Sequence, residues 1–186
     1  PICGFSWAGV GAARRSPPTL GRMHDHVRRM LDEAKAYIYD ASILGESLRS
    51  ESSAQALLQV LALEILLKAA GLAYTGKYSR THKYAALWAD LPDPIRNEVL
   101  ARARNRYPGH ADLSDVDALL SNWQYIFTKV RYHYELYEQY SLAEQRALGE
   151  LWVQLGAPID ESVVRFQPME LTALLESLVY AVENAP

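Results

Sequence analysis

The stretch AQALLQVLALEILLKAA, residues 54–70, decides the fold of this chain. Its apolar residues surround nearly the whole circumference of a helix, and such a helix has to be buried on all sides. The polar residues Gln59, Glu64 and Lys68 interrupt the segment, which is also short for a bilayer span. We therefore expect a buried helix at the centre of a helical bundle, and no membrane segment.

Helical periodicity continues on both sides of this segment. An apolar stripe over residues 23–44 predicts a first helix that ends before Gly45. The central helix is expected at 52–70, with serines as N-terminal caps and Gly71 as its end. The sequence contains no Asn-Gly or Asp-Gly hairpin signal and no sustained alternation of the kind that predicts a β-strand.

Turn and capping residues divide the rest of the chain into further helices. Thr81 is suited to cap a short third helix, and Asp112 or Ser114 to cap a long fifth one. Ser141 and Glu144 have the spacing of a capping box. These helices are predicted at 82–90, 94–106, 113–139, 142–155 and 168–184. The prediction is an all-α, single-domain bundle of six or seven helices.

The composition of the chain argues against several classes of function. The chain has 186 residues, of which 49% are hydrophobic and 22% charged, as is typical of one globular domain. Its net charge is −3, so a polyanion-binding site has to be a local patch. The single cysteine, Cys3, and the lack of an HExxH motif argue against a disulfide framework and a dedicated metal site. We expect no metal, no cofactor and a cytoplasmic location.

The first 22 residues differ from the rest because they are rich in Gly, Pro and Ala. Arg14 and Arg15 follow the apolar residues instead of preceding them, which does not fit a secretory signal. We expect residues 1–22 to be a poorly ordered extension, or one introduced by gene-model or expression choices. The folded domain is predicted at 23–186.

The segment NWQYIFTKVRYHYELYEQ, residues 122–139, is dense in aromatic and charged side chains. At helical spacing Trp123, Phe127, Val130 and Tyr134 share one stripe, which we predict to face the core. This stripe places the segment on the long fifth helix.

Charged side chains flank that predicted stripe. Arg131 and Glu135 lie on one side, Lys129 and His133 lie on the other, and Tyr132 points outward. These residues are candidates for a ligand site.

A structural interpretation stands beside the functional one. Arg131 at the edge of the core would pair with Glu64 of the central helix, because a half-buried cation requires an acidic partner. The tyrosines would then be packing residues with a polar tip.

Three stretches resemble, in order and spacing, proteins of the HEPN superfamily, which are small and usually dimeric α-helical bundles. The stretches are ALEILLKAA (62–70), THKYAALWADLP (81–92) and FTKVRYHYE (127–135). The resemblance covers roughly residues 25–140.

The resemblance implies roles for particular residues. Glu64 and Lys68 match a Glu and a Lys four residues apart in the second helix of such proteins. His82 matches a histidine that opens the next helix, and Arg131 matches the functional arginine of a later helix.

Active members of that superfamily are metal-independent ribonucleases with an Arg and a His four to six residues apart. The histidine acts on the ribose 2′-hydroxyl and the arginine steadies the phosphate. This chain departs from the pattern, since a single residue separates Arg131 from His133. Arg104 and His110 have the right spacing, but Pro108 and Gly109 interrupt a helix between them.

The resemblance therefore implies two functions. The first is a module that binds a nucleotide, RNA or a protein partner as a homodimer without the usual catalysis, through Arg131, His133, Lys129 and Tyr132. The second is a metal-independent endoribonuclease of the toxin–antitoxin or phage-defence type, with an antitoxin-like partner. A purely structural scaffold is a third alternative. An RNA role would also use a basic cluster that is otherwise a solvated face: Arg80, Lys83, Arg96, Arg102, Arg104 and Arg106.

Overall fold

The computed structural model describes residues 20–48, 53–129, 132–158 and 162–186, and of these the side chains of 20–23, 47–48 and 133 are outside the description. Within these ranges the chain forms helices and no β-strand, which confirms the predicted all-α fold. The helices are α1 Leu20–Leu48, α2 Ser53–Thr75, α3 Tyr84–Ala89, α4 Asp93–Arg106, α5 Val116–Lys129, α6 His133–Leu136, α7 Leu142–Gln154 and α8 Pro168–Glu183.

Helix α2 is the centre of the bundle, as its composition predicts. It packs against α1, α3, α5 and α8. Val60, Leu63 and Leu67 on one side of the helix and Ala62 and Ala69 on the opposite side are all fully buried. Helix α2 is also long and apolar enough to cross a membrane, but 61% of its most apolar window is buried inside the bundle. Burial by neighbouring helices accounts for its hydrophobicity.

Helix α1 continues past the position where the sequence predicts its end. It begins at Leu20 and runs through Gly45 to Leu48, so the prediction that Gly45 ends it is wrong. A Cβ atom on Gly45 would lie 2.7 Å from Nε2 of Gln55 in α2. The glycine leaves room for the Gln55 amide where the two helices approach each other, and this contact is invisible to local sequence patterns.

Helix α2 likewise runs past Gly71, its predicted end, to Thr75. Gly76 is the residue that ends it, because its φ of 69° lies in the left-handed region. The Gly76 N–H donates to the Leu72 carbonyl at 2.9 Å, which satisfies one of the last carbonyls of the helix.

The two glycines make a matched pair for a stability test. Gly71→Ala is expected to raise the free energy of unfolding by about 0.5–1 kcal/mol, because a Cβ there meets nothing within 4 Å and alanine favours the helix interior. Gly76→Ala is expected to lower it by about 1 kcal/mol, since alanine is strained at positive φ. Urea denaturation measures both, and opposite signs are required. The same sign for both variants would contradict the assigned end of α2.

The long helix predicted at 113–139 is two helices, α5 and α6. Asp115 caps α5, accepting a hydrogen bond from the Ala118 N–H at 2.9 Å, whereas the predicted cap Asp112 closes a turn onto the Ser114 N–H. Tyr132 has φ −113° and ψ 51°, which are not helical. β-branched and aromatic residues around this point lose side-chain freedom in a helix, and they favour the break.

Because of this break, the predicted core stripe is confirmed only in α5. Trp123 is fully buried and Phe127 packs partly against the core, as predicted. Tyr134 is 73% exposed, so its predicted core position is wrong. It belongs to α6, which follows the non-helical Tyr132 and therefore does not continue the face of α5. Val130 lies outside the described residues.

The remaining helices agree with the sequence, with small shifts. Helix α4 begins with Pro94 in its first turn. The predicted capping box of α7 is confirmed, with Ser141 Oγ accepting from the Glu144 N–H at 3.3 Å and the Glu144 carboxylate accepting from the Ser141 N–H at 2.8 Å. Thr81 does not cap α3. Its hydroxyl oxygen accepts from the Lys83 N–H inside the preceding loop.

Candidate functional site

A buried cluster of charged side chains lies on the central helix. Glu64 Oε1 accepts a hydrogen bond from Lys68 Nζ at 2.9 Å and lies 2.8 Å from Nδ1 of His82. The side chains of Glu64 and Lys68 are 6% and 8% exposed, whereas that of His82 is 68% exposed. The cluster therefore connects the interior of the bundle to its surface through one imidazole ring.

Helical geometry and one loop produce this arrangement. Glu64 and Lys68 share a face of α2 because they are four residues apart. The pair keeps two opposite charges together where either charge alone would be costly. Glu64 Oε2 is also buried and accepts no hydrogen bond from any residue in the described ranges.

The Glu64 carboxylate orients the His82 ring. A carboxylate only accepts hydrogen bonds, so the ring proton facing it is on Nδ1. The other nitrogen, Nε2, is then the acceptor of the neutral ring or the donor of the imidazolium. An exposed imidazole oriented in this way is suited to bind a phosphate or to transfer a proton.

The loop that carries His82, residues 76–83, is anchored beyond its contact with Glu64. At its start the Lys77 N–H donates to Thr75 Oγ1 at 3.2 Å. After its end the Tyr84 N–H donates to Gln124 Oε1 at 2.8 Å, in α5. In its middle the Tyr78 ring lies 5.5 Å from that of His26 in α1. The loop is thus connected to three helices.

Tyr84 fixes the end of this loop in the core. Its hydroxyl donates to the Val60 carbonyl at 2.8 Å. Burial, together with the nearby Glu64 carboxylate, raises the pKa of Tyr84 above its ordinary value, so the phenol remains a donor.

A pocket of about 290 Å³ lies between the end of α2, the 76–83 loop and α3. Leu67 and Leu87 supply apolar surface, and Lys68, Lys77, Tyr78 and Asp90 supply polar groups. Lys68 therefore contributes both to the buried ion pair and to the wall of this pocket.

A second pocket, of about 530 Å³, brings together two residues that the sequence singles out. It is lined by Lys129 and Glu135, together with Tyr125 and Glu138. The ring of Tyr132 lies edge-on to that of Tyr134, at 6.3 Å, and is 41% exposed.

The side chains of the candidate catalytic pair, Arg131 and His133, are not described. Arg131 lies outside the described residues, and so does its expected ion pair with Glu64. His133 begins α6, but its side chain lies outside the description.

The alternative pair, Arg104 and His110, sits at the end of α4 and in the turn after it. Arg104 Nη2 donates to the Leu113 carbonyl at 3.3 Å. The His110 N–H donates to the Tyr107 carbonyl at 3.1 Å, and the ring is exposed. The described contacts include none between the Arg104 and His110 side chains.

The arginines of α4 interact with the protein itself. Arg102 and Arg106 connect α4 to α8, and Arg96 and Arg104 contact residues near them in the chain. Their partners are Asp93 for Arg96, the Tyr180 ring at 3.5 Å for Arg102, the Leu113 carbonyl for Arg104 and Glu176 for Arg106.

The cations of the 76–83 loop differ from these arginines. Lys77, Arg80 and Lys83 are all exposed, and none forms an ion pair with a residue in the described part of the chain. Sequence reasoning missed Lys77 and Tyr78. The signal was present, because GKYSRTHK contains three cations and no acid.

Known proteins give no further constraint on this site. Among the described residues, no group of three His, Cys, Asp or Glu side chains is placed to hold a metal ion. Comparison with protein-family models, curated proteins and solved structures finds no match to the chain, so its resemblance to the HEPN superfamily stays a prediction from the residues quoted above.

Proposed function

We propose that the protein is a cytoplasmic, HEPN-like helical module that binds a nucleotide or RNA without the usual catalytic pair. The observation that supports this most is the exposed imidazole of His82, held by the buried Glu64 carboxylate 2.8 Å away. A ring fixed at one nitrogen presents the other to a ligand with little further loss of freedom.

The charges around His82 support an anionic ligand. Lys68 offsets the Glu64 carboxylate, so the acid does not repel a phosphate as it otherwise would. Lys77, Arg80 and Lys83 surround the histidine in the chain and are exposed. The net charge of −3 makes this local patch the feature that favours a polyanion.

Binding of a labelled RNA of about 12 nucleotides and of a mononucleotide tests the proposal. His82→Ala is expected to weaken binding about tenfold, since a hydrogen bond to a charged group contributes about 1.5–3 kcal/mol. His24→Ala, which removes an exposed histidine of α1, is the control and should bind as the wild type does. Fluorescence anisotropy measures the affinities. If neither ligand binds at low salt, or if both variants bind equally well, the proposal fails.

A metal-independent endoribonuclease is the second candidate, because a carboxylate-held histidine is also suited to general acid–base catalysis. Incubation of a mixed RNA pool in EDTA separates cleavage from binding. Loss of cleavage in His82→Ala would assign it to the cluster on α2. Loss only in Arg131→Ala and His133→Ala, or only in Arg104→Ala and His110→Ala, would assign it to one of those pairs.

A homodimer belongs to the same proposal, as the resemblance implies. Helix α7 supports it, because none of its described side chains is buried, and Leu148, Leu151 and the C-cap residue Leu155 are 46%, 50% and 61% exposed. These leucines share one face at helical spacing. A symmetric interface would remove that apolar face from water. An antitoxin-like protein partner stays a prediction.

A further inference from the structure

The 76–83 loop combines three features. It is basic, it contacts neighbouring helices, and it borders a pocket. Its three cations, Lys77, Arg80 and Lys83, have no ion-pair partner among the described residues, whereas each arginine of α4 is engaged by the protein. Cations without internal partners are available to a polyanion from outside.

The spacing of the three cations suits a chain of phosphates. The backbone of residues 77–83 is neither helix nor strand, so residues three apart are separated by at most about 10 Å. That distance is close to the Debye length of about 8–10 Å at physiological salt, so the potentials of neighbouring cations overlap. The result is a short basic track instead of isolated charges.

The attachment of the loop keeps this track in place. It is held at its start by Lys77 and in its middle by Tyr78, which contact Thr75 and His26. It is held at its end by His82 and Tyr84, which contact Glu64 and Gln124. A surface that is already ordered loses little freedom when a flexible ligand binds.

The pocket beside the track supplies a site for a base. Tyr78 is 51% exposed and lines the pocket together with Leu67 and Leu87. At about 290 Å³ it is close to the lower end, about 300 Å³, of ordinary ligand pockets. Aromatic side chains beside a basic groove bind unpaired bases by stacking, largely without regard to sequence.

We propose that the 76–83 loop is a binding surface for a single-stranded polynucleotide. Lys77, Arg80 and Lys83 bind its phosphates, and one unstacked base enters the pocket against Tyr78. This inference rests on the proposed function and specifies it further. A duplex does not fit this binding surface, because its bases are stacked and cannot enter the pocket.

The test uses the full chain and compares two triple variants. Lys77→Ala/Arg80→Ala/Lys83→Ala removes the basic track. Lys35→Ala/Arg146→Ala/Arg165→Ala removes three exposed cations elsewhere and changes the net charge equally. Affinity for a single-stranded RNA of about 12 nucleotides is measured over a range of salt concentrations. Circular dichroism confirms that both variants are folded.

The track variant is expected to lower the slope of log affinity against log salt by about 2, since each phosphate contact contributes about 0.7 for single strands. Near 0.1 M salt this corresponds to about 100-fold weaker binding. The control variant should keep the wild-type slope. Tyr78→Ala should weaken binding about tenfold, and Tyr78→Phe should restore most of it.

Several outcomes would overturn the inference and leave the proposed function standing. These are an unchanged slope in the track variant, an equal loss in the control variant, equal affinity for duplex RNA, or binding of the mononucleotide alone. Failure of every RNA and nucleotide probe to bind the wild-type protein would overturn the proposed function itself.

Discussion

Replacing Lys68 with alanine is expected to lower the free energy of unfolding by about 3–5 kcal/mol. Lys68 Nζ is 2.9 Å from Glu64 Oε1, and both side chains are almost completely buried. Without the lysine, His82 is the remaining partner of the buried carboxylate among the described residues, and its ring is largely in solvent. Urea denaturation followed by circular dichroism measures the change.

A surface pair serves as the control for Lys68→Ala. Lys35 pairs with Glu183, and their side chains are 44% and 41% exposed, so Lys35→Ala should cost less than about 1 kcal/mol. Replacing Glu64 and Lys68 together with leucine should be close to neutral, because apolar residues of similar size tolerate burial. Equal costs for Lys68→Ala and Lys35→Ala would show that the Glu64–Lys68 pair is not buried.

Replacing Trp123 with alanine is expected to lower the free energy of unfolding by about 3–5 kcal/mol as well, for a different reason. Trp123 is fully buried and is the largest side chain of α5 in the core. Its removal leaves a cavity between α5 and α2, which pack against each other. The loss of helix packing should also weaken the contact of Gln124 with Tyr84, since both depend on the position of α5.

Tyr125, two residues further along α5, provides a matched aromatic control. It is 38% exposed and lies on another side of the helix, so Tyr125→Ala should cost about 1 kcal/mol or less. The same denaturation experiment compares the two variants. Comparable losses for Trp123→Ala and Tyr125→Ala would mean that α5 does not pack as described.

The sequence predicted the central helix well, because the pattern that determines this helix lies within one short segment. Residues 54–70 are apolar on every side, and only a helix at the centre of a bundle satisfies such a pattern. The capping box at Ser141 and the proline at the start of α4 were predictable for the same reason. Each is encoded within four residues.

The predictions that failed depend on contacts between distant parts of the chain. Gly45 and Gly71 look like helix ends, and only the approach of Gln55 and the φ of Gly76 show where the helices run. The break at Tyr132 was missed because the helical stripe of the segment continues through it. Periodicity measures which residues share a face, not whether the backbone keeps its direction.

The candidate site also contains one contact that the sequence predicts and one that it does not. Glu64 and Lys68 are paired as their spacing of four residues predicts. The contact of Glu64 with His82 joins residues 18 apart and follows from no helical periodicity. Charge density also failed to distinguish α4 from the 76–83 loop, since both are basic. Only the partners of each cation separate them.

Photo-crosslinking of the protein to a single-stranded RNA of about 12 nucleotides that contains 4-thiouridine tests the central claim most directly. Mass spectrometry locates the adducts on the chain. We expect them within residues 76–83, with Tyr78 as the main site, and we expect Lys77→Ala/Arg80→Ala/Lys83→Ala to abolish them. Adducts on α4 or around Lys129, with none in the 76–83 loop, would contradict the claim that this loop binds the polynucleotide.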